Sequence, residues 1–195
     1  MTTPETMSAV VLAGGRSSRM GSDKALLKWG EKNFLETILR ALSMFPDVMI
    51  SAADKESYRW AHARVVADIY RDTGPVGGIY SSLVASERDY LFVTACDTPL
   101  LSASLIGEIC RAAEGCHCCV ARDENGLVHS LCGAYHKSMI PIFKDQIEKG
   151  RYKIALAYDK VTIKYLDLSP RQSAELRNFN TEGEYKKLIG SSGPA

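Results

Sequence analysis

Residues 8–13, SAVVLA, are β-branched and almost wholly apolar. A strand of that kind has no polar face to turn to water, so it must be covered on both sides. Residues 89–97, DYLFVTACD, carry the strongest such signal in the chain. Residues 47–53 (DVMISAA) and 63–68 (ARVVAD) read as two further strands, and 117–122, 131–136 and 161–168 as later ones. Helical patterns lie between them. Residues 33–45 place Leu35, Ile38, Leu39 and Leu42 at helical spacing, and 77–86 read as a helix after a Thr-Gly-Pro turn. Residues 104–114, 137–150 (interrupted near Pro141) and 182–189 complete the set. This alternation predicts an α/β fold in three layers, with a mostly parallel mixed central sheet and helices on both faces. In such sheets ligands bind beyond the carboxyl ends of the strands.

The chain has 195 residues, 46% hydrophobic and 24% charged, enough to build a core without disulfides or structural metal. A single domain over 1–195 is expected, with loosely held ends at 1–6 and 190–195. The formal net charge is +1, which gives no long-range field to gather nucleic acid or anionic membrane. No run approaches the ~18 apolar residues of a membrane span, and MTTPETMS lacks the charged flank and apolar centre of a signal peptide. A cytoplasmic protein without nucleic-acid or membrane partners is the expectation. Six cysteines are not spaced as a secreted framework and are expected reduced. Cys116, His117, Cys118 and Cys119 lack a distant Cys/His pair, and on a strand Cys118 and Cys119 point to opposite faces.

Directly behind the first strand comes LAGGRSSRMGSDKALL, residues 12–27. Glycine permits positive φ and close approach of a ligand to the backbone, so a loop here can aim several N–H groups at phosphate. Arg16, Arg19 and Lys24 add charge, and arginine grips phosphate bidentately. Gly15 and Gly21 are followed by Ser22-Asp23-Lys24, which is not the register of a P-loop, and the dinucleotide pattern Gly-x-Gly-x-x-Gly is absent. The alternative is a surface turn with solvated charges.

The wording of this loop resembles the N-terminal signature of the molybdenum cofactor guanylyltransferases, members of a nucleotidyltransferase superfamily with a Rossmann-like fold. Three further segments resemble that family in motif order: ADIYRDTGPVGGI (67–79), FVTACDTPLL (92–101) and RNFNTEGEY (177–185). The resemblance implies transfer of GMP from GTP to the molybdopterin form of molybdenum cofactor, with release of pyrophosphate. It implies GTP, molybdopterin and Mg²⁺ as ligands, and proteins that deliver or accept the cofactor as partners. Nucleotide binding falls on Leu12, Ala13, Gly14, Gly15, Arg19, Lys24, Asp68 and Asp97. Arg19, Lys24 and Asp97 are the implied catalytic residues. Backbone N–H groups of 13–16 with Arg19 would hold the β- and γ-phosphates, and Lys24 would face the α-phosphate. Asp97, at the end of an apolar strand, suits Mg²⁺, which is held by one or two carboxylates together with phosphates and water. His129, Asn178 and Asn180 map to the pterin side or the cleft.

Bland roles stand beside these. Asp68 and Asp72 also fit as turn acids, Asn180 or Thr181 as a helix cap, and Cys96 as packing; Ser102 is a better cap than Asp97 for the helix that follows. The sequence departs from the family in two places. Ala53 stands where the family has an asparagine after the second strand, and Ser130 follows His129 where the family has proline. Other readings of the same residues are a cytidylyltransferase on the same pterin, a nucleotidyltransferase for a sugar or alcohol phosphate, and a non-catalytic nucleotide-binding module.

Overall fold

The computed structural model describes residues 1–13, 24–26, 28–29, 32–53, 56 and 58–179. The strands are β1 (Ser8–Leu12), β2 (Lys28–Trp29), β3 (Lys32–Asn33), β4 (Asp47–Ala52), β5 (Arg64–Ala67), β6 (Tyr90–Ala95), β7 (Cys118–Arg122), β8 (Val128–His136) and β9 (Ile163–Asp167). The helices are α1 (Phe34–Ala41), α2 (Pro75–Ala85), α3 (Ala103–Ala112), α4 (Ile140–Glu148) and α5 (Pro170–Glu175). β2 and β3 form a short antiparallel pair of their own.

The other seven strands form one sheet in the order β5-β4-β1-β6-β8-β7-β9. β1 runs parallel to both β4 and β6, β4 to β5, and β7 to β9. β8 alone in this sheet is antiparallel to both of its neighbours, β6 and β7. The amino end of β8 therefore lies at the same sheet edge as the carboxyl ends of β1, β4 and β6.

β1 is buried at every position, as its composition requires. Its residues alternate between two cores. Ala9 and Val11 pack with Leu35, Ile38 and Leu42 of the α1 region and with Leu105, Ile106 and Ile109 of α3. Val10 and Leu12 pack with Val76, Ile79 and Leu83 of α2 and with Phe143 and Ile147 of α4. The three layers follow directly from that alternation. Cys119 joins the first core and Cys118 the second, so these thiols serve as small apolar side chains on opposite faces.

Helix starts carry their own signals. Asn33 Oδ1 accepts from Glu36 N at 2.8 Å, while Glu36 returns a carboxylate to Asn33 N at 2.8 Å. Ser102 Oγ accepts from Leu105 N at 3.2 Å, the cap that the sequence suggests.

Three local expectations are revised. Pro141 opens α4 rather than interrupting it, because the first turn of a helix has no N–H partner to lose there. Residues 1–6 are held in place: Pro4 is buried in a 3₁₀ turn, and the Met1 amino group lies 3.0 Å from a Glu114 carboxylate oxygen. α5 and the 3₁₀ segment Ile154–Lys160 occupy stretches with no sequence assignment. The expected helix over 182–189 and tail over 190–195 lie outside the described residues.

Candidate functional site

The site forms at the edge where β1, β4 and β6 end. β1 passes into the glycine-rich loop at Ala13. There Ala13 N donates to Ser51 O at 3.0 Å, and Cys96 N donates to Leu12 O at 3.3 Å. Sheet-like bonding thus continues just past the strands and fixes the loop's point of departure. Ala13 therefore gives its N–H to the sheet, which corrects the expectation that this amide faces a phosphate. Tyr58, buried beneath, donates its hydroxyl to Ala13 O at 3.4 Å. Gly14, Gly15, Arg16 and Arg19 lie outside the described residues, and of Lys24 only the backbone, at the start of the 3₁₀ turn Lys24–Leu26, is described.

Asp97 follows β6 on a tight turn. Thr98 Oγ1 donates to Ala95 O at 3.2 Å and lies 3.2 Å from Thr94 Oγ1, which pins that turn from within. From the far end of the chain, Phe179 N donates to Asp97 O at 3.0 Å. This bond brings Asn178 to the same place. Asp97, Thr98, His129, Ser130, Leu176 and Asn178 share the wall of one cavity of about 250 Å³. Three residues singled out from sequence, Asp97, His129 and Asn178, thus meet across 82 positions of chain. Asn180 lies outside the described residues.

Asp68 sits elsewhere on the same edge, at the end of β5. Its Oδ1 accepts from Ser51 Oγ at 3.0 Å, and its N–H donates to Ala52 O at 3.3 Å. Burial raises the pKa of its carboxyl above the ordinary value, with the Ser51 hydrogen bond acting in the opposite direction. β5 and β6 are three strand spacings apart, roughly 14 Å at about 4.8 Å each. Asp68 and Asp97 therefore flank the loop after β1 and cannot ligate one ion together. Ala53 is exposed immediately after β4, on the rim beside Asp68, and brings no polar group to it.

The TGPVGG segment has a packing reason. Gly74 takes φ +67° at the start of α2. A Cβ on Gly77 would lie 2.0 Å from Thr73 Oγ1, and one on Gly78 would lie 2.6 Å from Ser51 Oγ and 3.1 Å from Leu12 Cδ2. Gly78 thus lets α2 lie close against β1 and β4, next to the hydroxyl that holds Asp68, while Gly77 makes room for the turn that precedes the helix.

The chemistry of the donor set suits a hard cation. The described residues contain no group of three or more His, Cys, Asp or Glu able to form a closed metal cage. A single half-buried carboxylate at a cavity edge, as at Asp97, is compatible with a Mg²⁺ that would take its remaining ligands from phosphates and water.

Sequence reasoning missed Ser51, Tyr58 and Asp123. Asp123 begins an Asp-Glu-Asn-Gly hairpin tip, a turn signal that could have placed it. No helix among the described residues is long and apolar enough to cross a membrane.

Comparison with known proteins agrees with this geometry. A protein from Flavobacterium johnsoniae named "Probable molybdenum cofactor guanylyltransferase" is 34% identical over 186 residues, 94% of this chain and 97% of that one. The "Molybdenum cofactor guanylyltransferase" of Vibrio campbellii is 34% identical over 189 residues, 94% of this chain and 95% of that one. Among solved structures, the molybdopterin-guanine dinucleotide biosynthesis protein A of Archaeoglobus fulgidus superposes with a TM-score of 0.82 at 20% identity. That match covers 96% of this chain and 100% of the other and speaks for the fold. The model of the MobA-like NTP transferase domain matches residues 9–161, a span that holds all of β1 but Ser8, the glycine-rich segment, Asp68, Asp97 and His129. The chain belongs to the MobA-like NTP transferase family.

Proposed function

We propose that the chain transfers GMP from GTP to the molybdopterin form of molybdenum cofactor, giving the guanine dinucleotide cofactor and pyrophosphate. The observation that carries this reading is the convergence of Asp97, His129 and Asn178 on one cavity beside the end of the glycine-loop strand. A nucleotidyl transfer needs two phosphate-bearing molecules held end to end; in this reading the nucleotide lies towards β1 and β5 and the acceptor towards β8, with Asp97 at the seam. The relatives named as guanylyltransferases, aligned over nearly the whole chain, support guanine and the pterin.

In this reading the loop from Gly14 onward, with Arg19, holds the β- and γ-phosphates. Lys24 neutralises charge that builds on the α-phosphate as the acceptor's terminal phosphate oxygen attacks it. Asp68, seated by Ser51, serves the nucleoside end. Asp97 anchors Mg²⁺, which when bound neutralises the phosphates and supplies Lewis acidity. Little covalent help is required of the protein, because alignment and charge neutralisation supply most of the rate. His129 and Asn178 face the acceptor. A cytoplasmic location belongs to the same proposal.

The test is pyrophosphate release from each of GTP, CTP, ATP and UTP with Mg²⁺, with and without molybdopterin. GTP with molybdopterin is expected to turn over fastest. Faster turnover of CTP would make the chain a cytidylyltransferase, and release without the pterin but with a sugar phosphate would move it to another branch of the superfamily.

A further inference from the structure

The hairpin of β7 and β8 is irregular where it reaches the cavity. Val120 pairs with Gly133, yet the next residue, Ala121, pairs with His129. One step along β7 thus matches four along β8, and Ser130, Leu131 and Cys132 are extruded from that ladder. All three line the cavity, together with His129. Bulges of this kind re-aim side chains beside functional sites.

The extruded segment is held at its amino end by two neighbouring residues. At Ser130, the Tyr135 hydroxyl donates to the carbonyl at 2.6 Å and the Tyr158 hydroxyl donates to Oγ at 2.8 Å, with the two phenol oxygens 3.1 Å apart. Both tyrosines are buried. Proline at 130 would have no hydroxyl to offer Tyr158. One residue earlier, His129 Nε2 lies 3.3 Å from Asp123 Oδ2. Asp123 is itself fixed, because its Oδ1 accepts from Asn125 N and from Leu127 N, each at 2.9 Å. The side chains of His129 and Asp123 are 23% and 13% exposed, so the contact is largely shielded from water. Burial acts to raise the Asp123 pKa, but the hydrogen bonds from Leu127, His129 and Asn125 outweigh it and hold the carboxyl below its usual value. An ionised carboxylate only accepts hydrogen bonds, so the imidazole must carry hydrogen on Nε2. In the neutral ring Nδ1 then keeps its lone pair, and it has no hydrogen-bond partner among the described residues.

We propose that Asp123 is a positioning residue that holds His129 in the Nε2–H form, so that Nδ1 accepts a hydrogen bond from an N–H group of the pterin acceptor. The inference rests on the guanylyl-transfer reading and adds to it the device that orients the acceptor. A phosphate oxygen would be a poor partner for Nδ1 in this form, since both carry lone pairs. An N–H-bearing heterocycle is the complementary ligand.

Steady-state kinetics with molybdopterin and GTP varied in turn test the assignment. Asp123→Asn preserves an oxygen for the turn amides, but its amide donates towards Nε2 and so favours the other tautomer. It is expected to raise the KM for molybdopterin on the order of tenfold, the scale seen when partners that orient ligating histidines are removed, and to leave the KM for GTP unchanged. His129→Ala, which leaves the Asp123 turn intact, is expected to do the same. The double variant should be no worse than His129→Ala, because Asp123 acts through the ring. An unchanged molybdopterin KM in His129→Ala overturns the proposal, whether or not Asp123→Asn folds. So does an Asp123→Asn penalty that persists in full on the His129→Ala background. A wild-type chain that makes no dinucleotide from GTP and molybdopterin overturns the guanylyl-transfer reading and this inference with it; active wild type with indifferent variants overturns the inference alone.

Discussion

Phe179 donates its backbone N–H to the carbonyl of Asp97 at 3.0 Å, tying the last described residue to the turn after β6. Phe179 is fully buried, and the Arg177 guanidinium sits 5.7 Å from its ring centre. The side chain of Asn178 is thereby presented to the cavity from a segment with no regular structure of its own. The bond uses main-chain atoms of Asp97, which separates this hold on the turn from the side-chain carboxylate.

That separation predicts the behaviour of Asp97→Asn. The turn keeps its Thr98 and Phe179 hydrogen bonds, so the variant should fold and melt as a single transition. Loss of the anionic oxygen should lower Mg²⁺-dependent turnover by roughly 10² or more. Titration of Mg²⁺ against GTP turnover checks it; an unchanged metal requirement and comparable rate would remove Asp97 from the metal site.

Lys24 follows the glycine loop, and its backbone begins the 3₁₀ turn that buries Ala25. Lys24→Ala should leave the melting temperature close to wild type while lowering turnover by about 10²–10³, the scale of losing one preorganised charge at a reacting oxygen. Normal turnover in the variant would exclude Lys24 from the reaction.

Asp68 makes the nucleotide-free protein sensitive to pH in a defined direction. Its pKa is raised by burial, so the folded state binds the proton more tightly than the unfolded chain. Its contribution to stability is therefore present at low pH and is lost as pH climbs from its ordinary value of 3.8 through the higher folded value. Asp68→Asn should melt above wild type at pH 7 without nucleotide, with the gap closing towards pH 4, and should bind GTP more weakly. Thermal melts across that range decide it; a variant less stable than wild type at pH 7 would reverse the sign.

Gly78→Ala should damage stability and binding together. The added Cβ meets Ser51 Oγ and Leu12 Cδ2, and the cheapest relief is rotation of the Ser51 hydroxyl away from Asp68. Overpacking of this kind costs about 1–3 kcal/mol. Urea unfolding and calorimetric titration with GTP should both register the change. Loss of stability with intact GTP affinity would show that Ser51 does not govern the nucleoside end.

Cys110, Cys118 and Cys119 have their thiol pKa values pushed up to about 12 by burial. At pH 9 only about one part in a thousand of such a thiol is thiolate, the reactive form. A thiol reagent at pH 8 should therefore modify the half-buried Cys116 well ahead of these three, with all cysteines reacting in denaturant. Rapid modification of Cys110 in the native protein would contradict its position in the core.

The central strands were readable because β1 and β6 are short apolar runs buried on both faces; DYLFVTACD gave β6 directly, whereas the two-residue β2 and β3 are too short to leave such a pattern. The direction of β8 was also within reach, since the five residues between β7 and β8 are too few for a parallel crossover. Its place beside β6 was not, because that pairing joins segments distant in the chain with nothing local to announce it. α5 escaped because it buries none of its residues, although Ser169-Pro170-Arg171-Gln172 spells a capping box with proline at its first position. At the site, Asp97 was legible as an acid ending an apolar strand. Ser51 and Asp123 were not, since they act by holding other side chains and carry no chemistry of their own.

The antiparallel insertion of β8 also bears on how such a chain can diversify. The glycine loop, Ser51 and Asp68 depend on β1, β4 and β5, which lie to one side of β6. The far wall of the cavity comes from one hairpin whose tip, residues 123–127, carries Leu127 at 61% exposure. Changes in the adjoining residues 128–132, which line the cavity, reshape one wall while the register of β1 with β4 and β6 stays fixed. The architecture thus lets one wall of the cavity vary under selection while the sheet edge that carries Ser51 and Asp68 stays in place.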